Sequence, residues 1–352
     1  MKTITLRPLR MMALAAFALF LLVLAGCDST PPPAAKSQAA PRTKPLVGVL
    51  LYTDADVYIS LVSRALQEAL NGKVDYAVLS AGRDQFVQNE QIEELLARKA
   101  SALAVNLVDI LAASHIVDKA QKAGIPVVFF NREPDLNGIR TYDRTCFIGT
   151  TPLDAGKMQG DIIKRLWDAH PEYDRNKDGM FQYVMLQANT DNPEAIARTE
   201  YSVRQARDLG VSMRQIGETM LCDWDEDQAY QAMRLALASL KDSVELVVAN
   251  NDSMALGAIR ALTEQGYNLE NGEPGKFIPV IGVDAVPQAV DAIRKGIMSA
   301  TVRQDGSLMG QTIAAFVLNA VNGKAFLEGT PWQWDDTGIA LRLPYSPFEG
   351  AK

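Results

Sequence analysis

Histidine and cysteine are scarce in this chain of 352 residues, which holds two histidines and three cysteines. His115 and His170 both fall on predicted helices, away from the strand ends where the functional groups of an α/β sheet gather. No motif for catalytic turnover accompanies them. We therefore expect a protein that is not an enzyme. The alternative is a carboxylate pair formed by Asp56 and Asp284, of the kind that hydrolyses glycosidic bonds.

An excess of basic charge is also missing, because the chain carries a formal net charge of −7 at pH 7. Three of its basic residues, Lys2, Arg7 and Arg10, stand in a predicted leader, so the mature chain is more acidic still. This balance argues against nucleic acid as a partner and against wide electrostatic contact with anionic lipid.

A hydrophobic run long enough for an ordinary membrane span is missing as well. The run from Met11 to Ala25 holds only about 15 residues, fewer than a spanning helix needs. It ends in Leu24-Ala25-Gly26-Cys27, the pattern of a lipoprotein signal whose cysteine is lipidated and becomes the mature N-terminus. An ordinary signal peptide with an incidental cysteine is the alternative interpretation.

We expect residues 1–26 to be a lipoprotein signal peptide and residues 27–44, which are rich in proline and alanine, to be a disordered tether. Asp28 resembles the signal that retains enterobacterial lipoproteins in the inner membrane. The predicted location is therefore the periplasmic side of that membrane, with contact through the lipid anchor alone. Cys146 and Cys222 remain after lipidation of Cys27, and we expect two free thiols in separate lobes.

From Pro45 onward, short apolar runs alternate with helical patterns. Leu46 to Leu51 predicts a buried strand, and the helix after it carries its apolar residues on one face. The alternation ends with a strand predicted at 299–303. Repeated βα units predict parallel sheets with helices on both faces. Roughly 300 residues exceed what one core usually serves, so we expect two Rossmann-like lobes with a cleft between them.

Polar residues gather where the predicted strands end. They are amides, carboxylates, an arginine and aromatics, which suit a ligand bearing many hydroxyl groups. Any one of them is more often a helix cap or a turn. The positions are Tyr52, Asp54, Asp56, Tyr58, Asn106, Asp109, Asn250, Asn251, Asp252, Asp284, Gln304, Asp305 and, nearby, Trp224, with Arg198 at the start of the helix that follows the strand predicted at 181–186.

Residues 174–182 read Asp-Arg-Asn-Lys-Asp-Gly-Met-Phe-Gln and begin as a calcium loop does. Oxygen-bearing side chains stand at positions 1, 3, 5 and 9, and Gly179 stands where the chain must turn sharply. Position 12 is Met185 instead of the glutamate of an EF-hand, so a further carboxylate must come from elsewhere. A solvated turn is the alternative.

Five motifs carry a resemblance to a known family. They are Leu103 to Asp109, Pro126 to Pro134, Asp174 to Gly179, Val248 to Met254 and Gly282 to Ala285. From about Pro45 to Tyr345, the chain resembles the galactose/glucose-binding proteins of ABC transport and chemotaxis, which have the type I periplasmic binding protein fold. The resemblance implies two α/β lobes joined by three hinge strands. On this fold we expect residues 45–125 with 305–340 in the N-terminal lobe, and 126–304 with 341–352 in the C-terminal lobe.

The resemblance also implies the roles of individual residues. The sugar hydrogen-bonding residues fall on Asp56, Asn106, Asn192, Glu194, Arg198, Asn251, Asp284 and Gln304, and the stacking aromatics fall on Tyr58 and Trp224. The ligands of a structural Ca²⁺ fall on Asp174, Asn176, Asp178, the Met180 carbonyl, Gln182 and Glu245. The chain departs from the family pattern in four places. It has Asn192 for His, Glu194 for Asp, Gln304 for Asn and Tyr58 for Phe.

These implications predict a monomeric lipoprotein that captures a monosaccharide, with galactose or glucose first, and delivers it to an ABC permease. Two alternatives stay open: a receptor for another monosaccharide, or a sensor that presents its closed form to a chemoreceptor. A sugar-sensing repressor of the same fold would need a basic helix-turn-helix at its N-terminus, where this chain has a leader.

Overall fold

The computed structural model describes residues 44–350, except for the side chains of Lys241 and Pro274. The predicted signal peptide, Cys27 and all but the last residue of the predicted tether lie outside this range. No helix within the described residues is both long and apolar enough to span a membrane.

Strands and helices alternate along the described chain. The strands are β1 (Leu46–Leu51), β2 (Asp75–Ser80), β3 (Ala102–Val105), β4 (Val127–Phe130), β5 (Thr145–Gly149), β6 (Phe181–Gln187), β7 (Met213–Gln215), β8 (Met220–Leu221), β9 (Leu246–Ala249), β10 (Val280–Asp284), β11 (Ala300–Gln304), β12 (Ala340–Arg342) and β13 (Tyr345–Glu349). The helices are α1 (Val57–Leu70), α2 (Gln85–Ala97), α3 (Ala113–Ala123), α4 (Leu136–Ile139), α5 (Pro152–Ala169), α6 (Pro193–Asp208), α7 (Glu226–Leu240), α8 (Asp252–Glu264), α9 (Pro287–Arg294) and α10 (Gly306–Val321).

The strands form two sheets, which confirms the predicted α/β fold with two lobes. The first sheet has the order β12-β5-β4-β3-β1-β2, and all its neighbours are parallel. The second has the order β13-β11-β10-β9-β6-β7, with β8 beside β6 and with β13 antiparallel to β11. The central strands of both sheets are buried along their length, as expected where helices cover both faces of a parallel sheet.

The predicted boundary between the lobes at residues 125 and 126 is wrong. Strand β4 pairs with β3, and β5 pairs with β4, so the chain as far as Gly149 belongs to the first sheet. Leu341 and Arg342 also belong there, because β12 pairs with β5. An alternating βα pattern shows that strands exist, but pairing over long sequence distances decides which sheet each strand joins.

The chain passes between the two lobes at three places, as the resemblance implies. The first crossing follows β5, the second lies at Asp305 between β11 and α10, and the third joins β12 to β13. After the second crossing, α10 returns to the first lobe and packs against α1. A Cβ on Gly310 would lie 2.4 Å from the Val62 carbonyl oxygen, so glycine is what permits this close approach.

Candidate functional site

A cavity lies between the carboxyl ends of the two sheets, where ligands bind in open α/β folds. The space not filled by protein atoms there, counted together with the solvent that opens onto it, is about 370 Å³. All but one of the predicted sugar-binding residues line it. The lining comprises Tyr52, Asp56, Tyr58, Asn131, Arg132, Asn192, Glu194, Arg198, Trp224, Asn251, Asp284 and Gln304.

Strand β1 and helix α1 supply one wall. The Asp56 carboxylate caps α1 by accepting from the Ile59 N–H at 3.1 Å, and it also accepts from the Tyr52 hydroxyl at 2.5 Å. Tyr58 is the second residue of the helix and is 5% exposed, and its hydroxyl contacts the Met309 sulfur. Burial raises the pKa of Tyr58 well above its usual value, so its ring is a neutral, largely apolar surface.

Asn131 and Arg132, which follow β4, were missed as lining residues by the reasoning from strand ends. Asn131 adopts a left-handed conformation with φ of 63°, and its side chain accepts from Gln304 Nε2 at 3.4 Å. The Arg132 guanidinium lies 5.0 Å from the Tyr52 ring centroid, and its Nε is buried without a hydrogen-bond partner among the described residues. The signal was present in the sequence, because Asn131 and Arg132 come directly after the apolar run that forms β4.

Asn106 is the exception among the predicted sugar-binding residues, because it does not line the cavity. It is fully buried, and its amide nitrogen donates to the Phe130 carbonyl at 3.1 Å. Its amide oxygen lies 3.5 Å from the Tyr52 N–H. The residue therefore joins the ends of β1 and β4, and its direct contact with a sugar stays a prediction.

Arg198, on the first turns of α6, is 2% exposed and forms the centre of a buried polar network. One terminal nitrogen donates to the Asn250 carbonyl at 2.9 Å. The other donates to Gln304 Oε1 at 3.0 Å and to the Tyr345 hydroxyl at 3.1 Å. The guanidinium lies 5.6 Å from the Trp224 ring centroid. Its Nε is buried and has no hydrogen-bond partner among the described residues.

Asp284 ends β10 and supplies the matching acceptor. It is 7% exposed, and no described residue donates a hydrogen bond to its carboxylate. Burial raises its pKa well above the ordinary value, and the Asp252 and Asp56 carboxylates add to this while Arg198 opposes it. Burial also raises the pKa of Glu194, which accepts from Arg198 at 3.5 Å and from the Thr150 hydroxyl at 3.4 Å.

Two helix caps complete the wall on the second sheet. The Asn192 oxygen accepts from the Glu194 and Ala195 N–H groups, and its amide nitrogen meets no described acceptor. The Asn251 oxygen accepts from the Met254 N–H, and its amide nitrogen lies 3.4 Å from the Trp224 carbonyl. Because each oxygen is used for capping, the amide nitrogens are the groups left to face a ligand.

The loop at residues 174–182 closes on Glu245, which the resemblance names as the missing carboxylate. Glu245 is 1% exposed, and its two oxygens accept from the N–H groups of Arg175 at 2.8 Å and Gln182 at 3.0 Å. The Asp174 carboxylate accepts from the Gly179 N–H at 2.9 Å. The oxygen-bearing side chains predicted to bind Ca²⁺ therefore lie on one short loop and on Glu245, which contacts that loop.

One buried atom in that loop favours a cation. Gln182 Oε1 is buried without a hydrogen-bond partner among the described residues, while its Nε2 donates to Asp178 at 2.7 Å. An amide oxygen is an acceptor only, so a cation would satisfy it. No group of three or more His, Cys, Asp or Glu side chains in residues 44–350 forms a metal site by itself. A site here would therefore need the amide and carbonyl oxygens of Asn176, Gln182 and Met180 as well.

The comparisons with known proteins agree with this geometry. A family model described as "Periplasmic binding protein domain" matches residues 47–325. The chain is similar to the D-galactose/methyl-galactoside binding periplasmic protein of Haemophilus influenzae, with 35% identity over 303 residues, or 85% of this chain and 88% of that protein. It is 25% identical over 308 residues to a ribose import binding protein of Bacillus subtilis, covering 87% of this chain and 92% of that protein.

Among solved structures, the fold is similar to that of an ABC transporter solute binding protein from Bacillus halodurans with bound myo-inositol. The TM-score is 0.70 at 23% identity, and the match covers 88% of this chain and 96% of that one. At this level of identity the similarity shows the fold.

Proposed function

The chain belongs to the periplasmic binding protein family, and on that premise we propose that it captures a monosaccharide between its lobes and delivers it to an ABC permease. The family consists of solute-binding proteins of transport, which are not enzymes. A ligand that touches both lobes binds their closed arrangement best, so capture and closure are linked.

One observation carries the choice of a sugar. Polar groups without protein partners belong to residues that line the cavity, and two aromatic residues line it as well, Tyr58 of the first lobe and Trp224 of the second. The groups are a buried donor, Arg198 Nε, an acceptor, the Asp284 carboxylate, and the amide nitrogen of Asn192. Hydroxyl groups both donate and accept, and the apolar faces of a sugar ring suit aromatic surfaces.

Galactose or glucose is the first candidate, because the relative from Haemophilus influenzae is named for galactose and its methyl glycoside. Another monosaccharide is the second candidate. Asn192, Glu194 and Gln304 depart from the family pattern, and each change alters the reach of a polar group. Sites built on hydrogen bonds discriminate strongly, because a misplaced hydroxyl leaves a buried group unpaired.

Calorimetric titration of residues 44–352 with a panel of hexoses and pentoses tests this proposal. At least one sugar should bind with a Kd below about 1 mM. Asp284→Ala should then weaken binding by roughly 30- to 1000-fold, since sugar hydroxyls lose their acceptor in a buried site. The exposed Asp208→Ala serves as the matched control. Absence of binding by every monosaccharide, or equal affinity in Asp284→Ala, would contradict the proposal.

The lipid anchor belongs to the same proposal. It rests on Leu24-Ala25-Gly26-Cys27, which would tether the domain to the periplasmic side of a membrane. Wild-type protein expressed in a Gram-negative host should incorporate labelled palmitate, and Cys27→Ser should not. Cys146→Ser is the control that removes a thiol from the folded domain. Labelling of the Cys27→Ser variant would contradict the anchor.

A structural Ca²⁺ is the remaining part of the proposal. Its ligands would be Asp174, Asn176, Asp178, the Met180 carbonyl, Gln182 and Glu245. The support is the buried, unpartnered Gln182 Oε1 and the convergence of the loop on Glu245. When bound, the ion would supply positive charge that fixes the loop beside the start of β6 and β9. This role is stabilising, and the ion has no part in contacting the sugar.

A further inference from the structure

The turn that carries Asp284 is strained. Asp284 has φ of 119° and Ala285 has φ of 57°, so two consecutive residues that are not glycine adopt positive φ. Such conformations cost free energy and persist only where the surroundings hold them. The turn follows β10 directly, and it is the element that directs the Asp284 carboxylate into the cavity.

Asp252 of helix α8 holds this turn by hydrogen bonds. It is the first residue of α8 and is fully buried. Val286 directly follows the two residues with positive φ. One of the Asp252 carboxylate oxygens accepts from the Val286 N–H at 2.9 Å. The other accepts from the Thr301 hydroxyl at 2.6 Å, and that hydroxyl in turn lies 3.4 Å from the Ala285 N–H. One oxygen thus holds the segment that follows Asp284 directly, and the other holds it through Thr301 of β11.

The Asp252 carboxylate packs closely against Gly282 of β10. A Cβ on Gly282 would lie 2.2 Å from Asp252 Oδ1, so glycine on β10 is what lets the carboxylate reach the turn. Asp252 does not line the cavity, whereas its neighbour Asn251 does. Burying a carboxylate costs free energy unless it is fully hydrogen-bonded. The Asp252 carboxylate accepts its hydrogen bonds from a backbone N–H and a hydroxyl group instead of from a cation.

We propose that Asp252 is a positioning residue for sugar binding, which keeps Asp284 directed at the ligand by holding the strained turn at residues 284–286. The effect on sugar binding rests on the proposed function. The hold on the turn rests on the hydrogen bonds of Asp252 alone. Asp252 touches no ligand itself; it acts through Asp284.

The electrostatic surroundings of Asp252 agree with a structural role for its carboxylate. Burial raises the pKa of Asp252 to about 7, while hydrogen bonds from Thr301, Val286 and Ala285 and the charge of Arg198 act in the opposite direction. The nearby Asp284 carboxylate is the like charge that faces it. The hydrogen bonds therefore offset part of the cost of two buried carboxylates side by side.

A double-mutant cycle tests the proposal. Asp252→Asn keeps the shape but replaces one acceptor oxygen with a donor. With the remaining oxygen on the Val286 N–H, the Thr301 hydroxyl can accept from the new amide but loses the acceptor for its own proton, and with the opposite orientation the Val286 N–H loses its acceptor. We expect the sugar Kd to rise by about 10-fold or more, as expected for losing one buried hydrogen bond or more. In an Asp284→Asn background, Asp252→Asn should change the Kd less than 2-fold, because the residue it positions is already altered. Equal effects in both backgrounds would overturn the proposal.

Two further variants separate positioning from folding. Thr301→Val removes the hydroxyl beside Asp252 and should weaken sugar binding in the same direction, whereas Thr301→Ser should restore it. If Asp252→Asn does not fold, Thr301→Val and Thr301→Ser are measured in the wild-type and Asp284→Asn backgrounds instead. Equal effects of Thr301→Val on the sugar Kd in both backgrounds would then overturn the proposal. A Thr301→Ser protein as weak as Thr301→Val would overturn the proposal.

A crystal structure of sugar-free Asp252→Asn protein makes the test independent of ligand binding. We expect the turn to relax, with Asp284 leaving the positive-φ region and its carboxylate leaving the cavity. An unchanged turn would overturn the proposal even if no sugar binds the wild type. Failure of the wild type to bind any sugar would overturn the proposed function instead, so the two failures are distinguishable.

Discussion

Arg83 and Asp223 form an ion pair that joins the two lobes beside the cavity. Arg83 follows β2 in the first lobe and lies 5.7 Å from the ring centroid of Tyr52, which lines the cavity. It also donates to the Asp223 carbonyl at 3.1 Å. Asp223 directly precedes Trp224, and both have positive φ. The pair therefore exists only when the lobes are together, and it holds the turn that presents Trp224.

Loss of this pair should speed release of the sugar. Arg83→Gln should raise the dissociation rate by about 2- to 5-fold at low salt, because a partly exposed pair contributes up to about 1 kcal/mol. The association rate should change less. Stopped-flow fluorescence of Trp224 measures both rates.

Arg204→Gln is the matched control, since Arg204 forms exposed pairs with Glu200 and Asp208 within one helix. Added salt should also shrink the difference between Arg83→Gln and wild type. Identical dissociation rates for wild type and Arg83→Gln at low salt would show that the pair does not stabilise the closed form.

The Tyr345 hydroxyl links the three crossings between the lobes. It lies 2.8 Å from Thr150 Oγ1 at the first crossing and 3.5 Å from Gln304 Oε1 at the second, while Tyr345 itself follows the third. Arg198 donates to the same hydroxyl. Tyr345→Phe should therefore weaken sugar binding by about 5- to 10-fold, since buried partners lose a hydrogen bond.

The same substitution should alter the arrangement of the lobes without ligand, which small-angle X-ray scattering measures as a change in the radius of gyration. Tyr230→Phe is the control, because its hydroxyl contacts Glu264 on the surface of the second lobe. Unchanged affinity and unchanged scattering in Tyr345→Phe would refute a role for Tyr345 in the hinge.

Removal of calcium should lower the melting temperature of the domain, because an ion that binds only the folded state stabilises it by mass action. Glu245→Gln should melt at a lower temperature than wild type and should lose its response to chelator. The exposed Glu218→Gln should respond as wild type does. Equal melting curves for the wild type with and without chelator would rule out a stabilising ion at this loop.

Sugar affinity should rise with pH over the range in which the buried pair of Asp252 and Asp284 ionises. Burial raises the pKa of both carboxyls, that of Asp252 to about 7. Sugar hydroxyls that donate to Asp284 favour its ionised form, so binding lowers its pKa and releases protons. As the pH falls through the raised pKa of Asp284, a larger fraction of this carboxyl must ionise on binding, so the sugar affinity falls.

Calorimetry at pH 6 in two buffers of different ionisation enthalpy measures the protons released per sugar bound. Asp284→Asn should abolish most of this release. Proton uptake on binding, or an affinity that rises as the pH falls from 8 to 5, would contradict the prediction.

Much of the fold follows from local patterns, and the exceptions have a common cause. The strand at 46–51 has the predicted ends, and the strand predicted at 299–303 differs from β11 by one residue at each end, because their apolar patterns are local properties. Helix α10 escaped prediction because it packs against both α1 and the first sheet, so little of its surface shows a polar stripe. The sheet that β4 and β5 join depends on pairing between distant strands.

The site divides in the same way. Asp56 and Asn251 follow strands and cap helices, which places them at the cavity edge by local rules. Asn106 also follows a strand, yet its amide is used between β1 and β4, and only the tertiary contacts show this. Arg132 directly follows the apolar run of β4, so the same local rule applies to it, whereas its contact with the ring of Tyr52 shows only in the tertiary structure.

The central claim is that one monosaccharide binds between the lobes through residues of both, and a crystal structure with the tightest-binding sugar tests it most directly. We predict that the sugar ring lies between Tyr58 and Trp224, with hydroxyls within hydrogen-bonding distance of Asp56 from the first lobe and of Asp284 and Arg198 from the second. Sugar density outside this cavity, or contacts from one lobe only, would contradict the account.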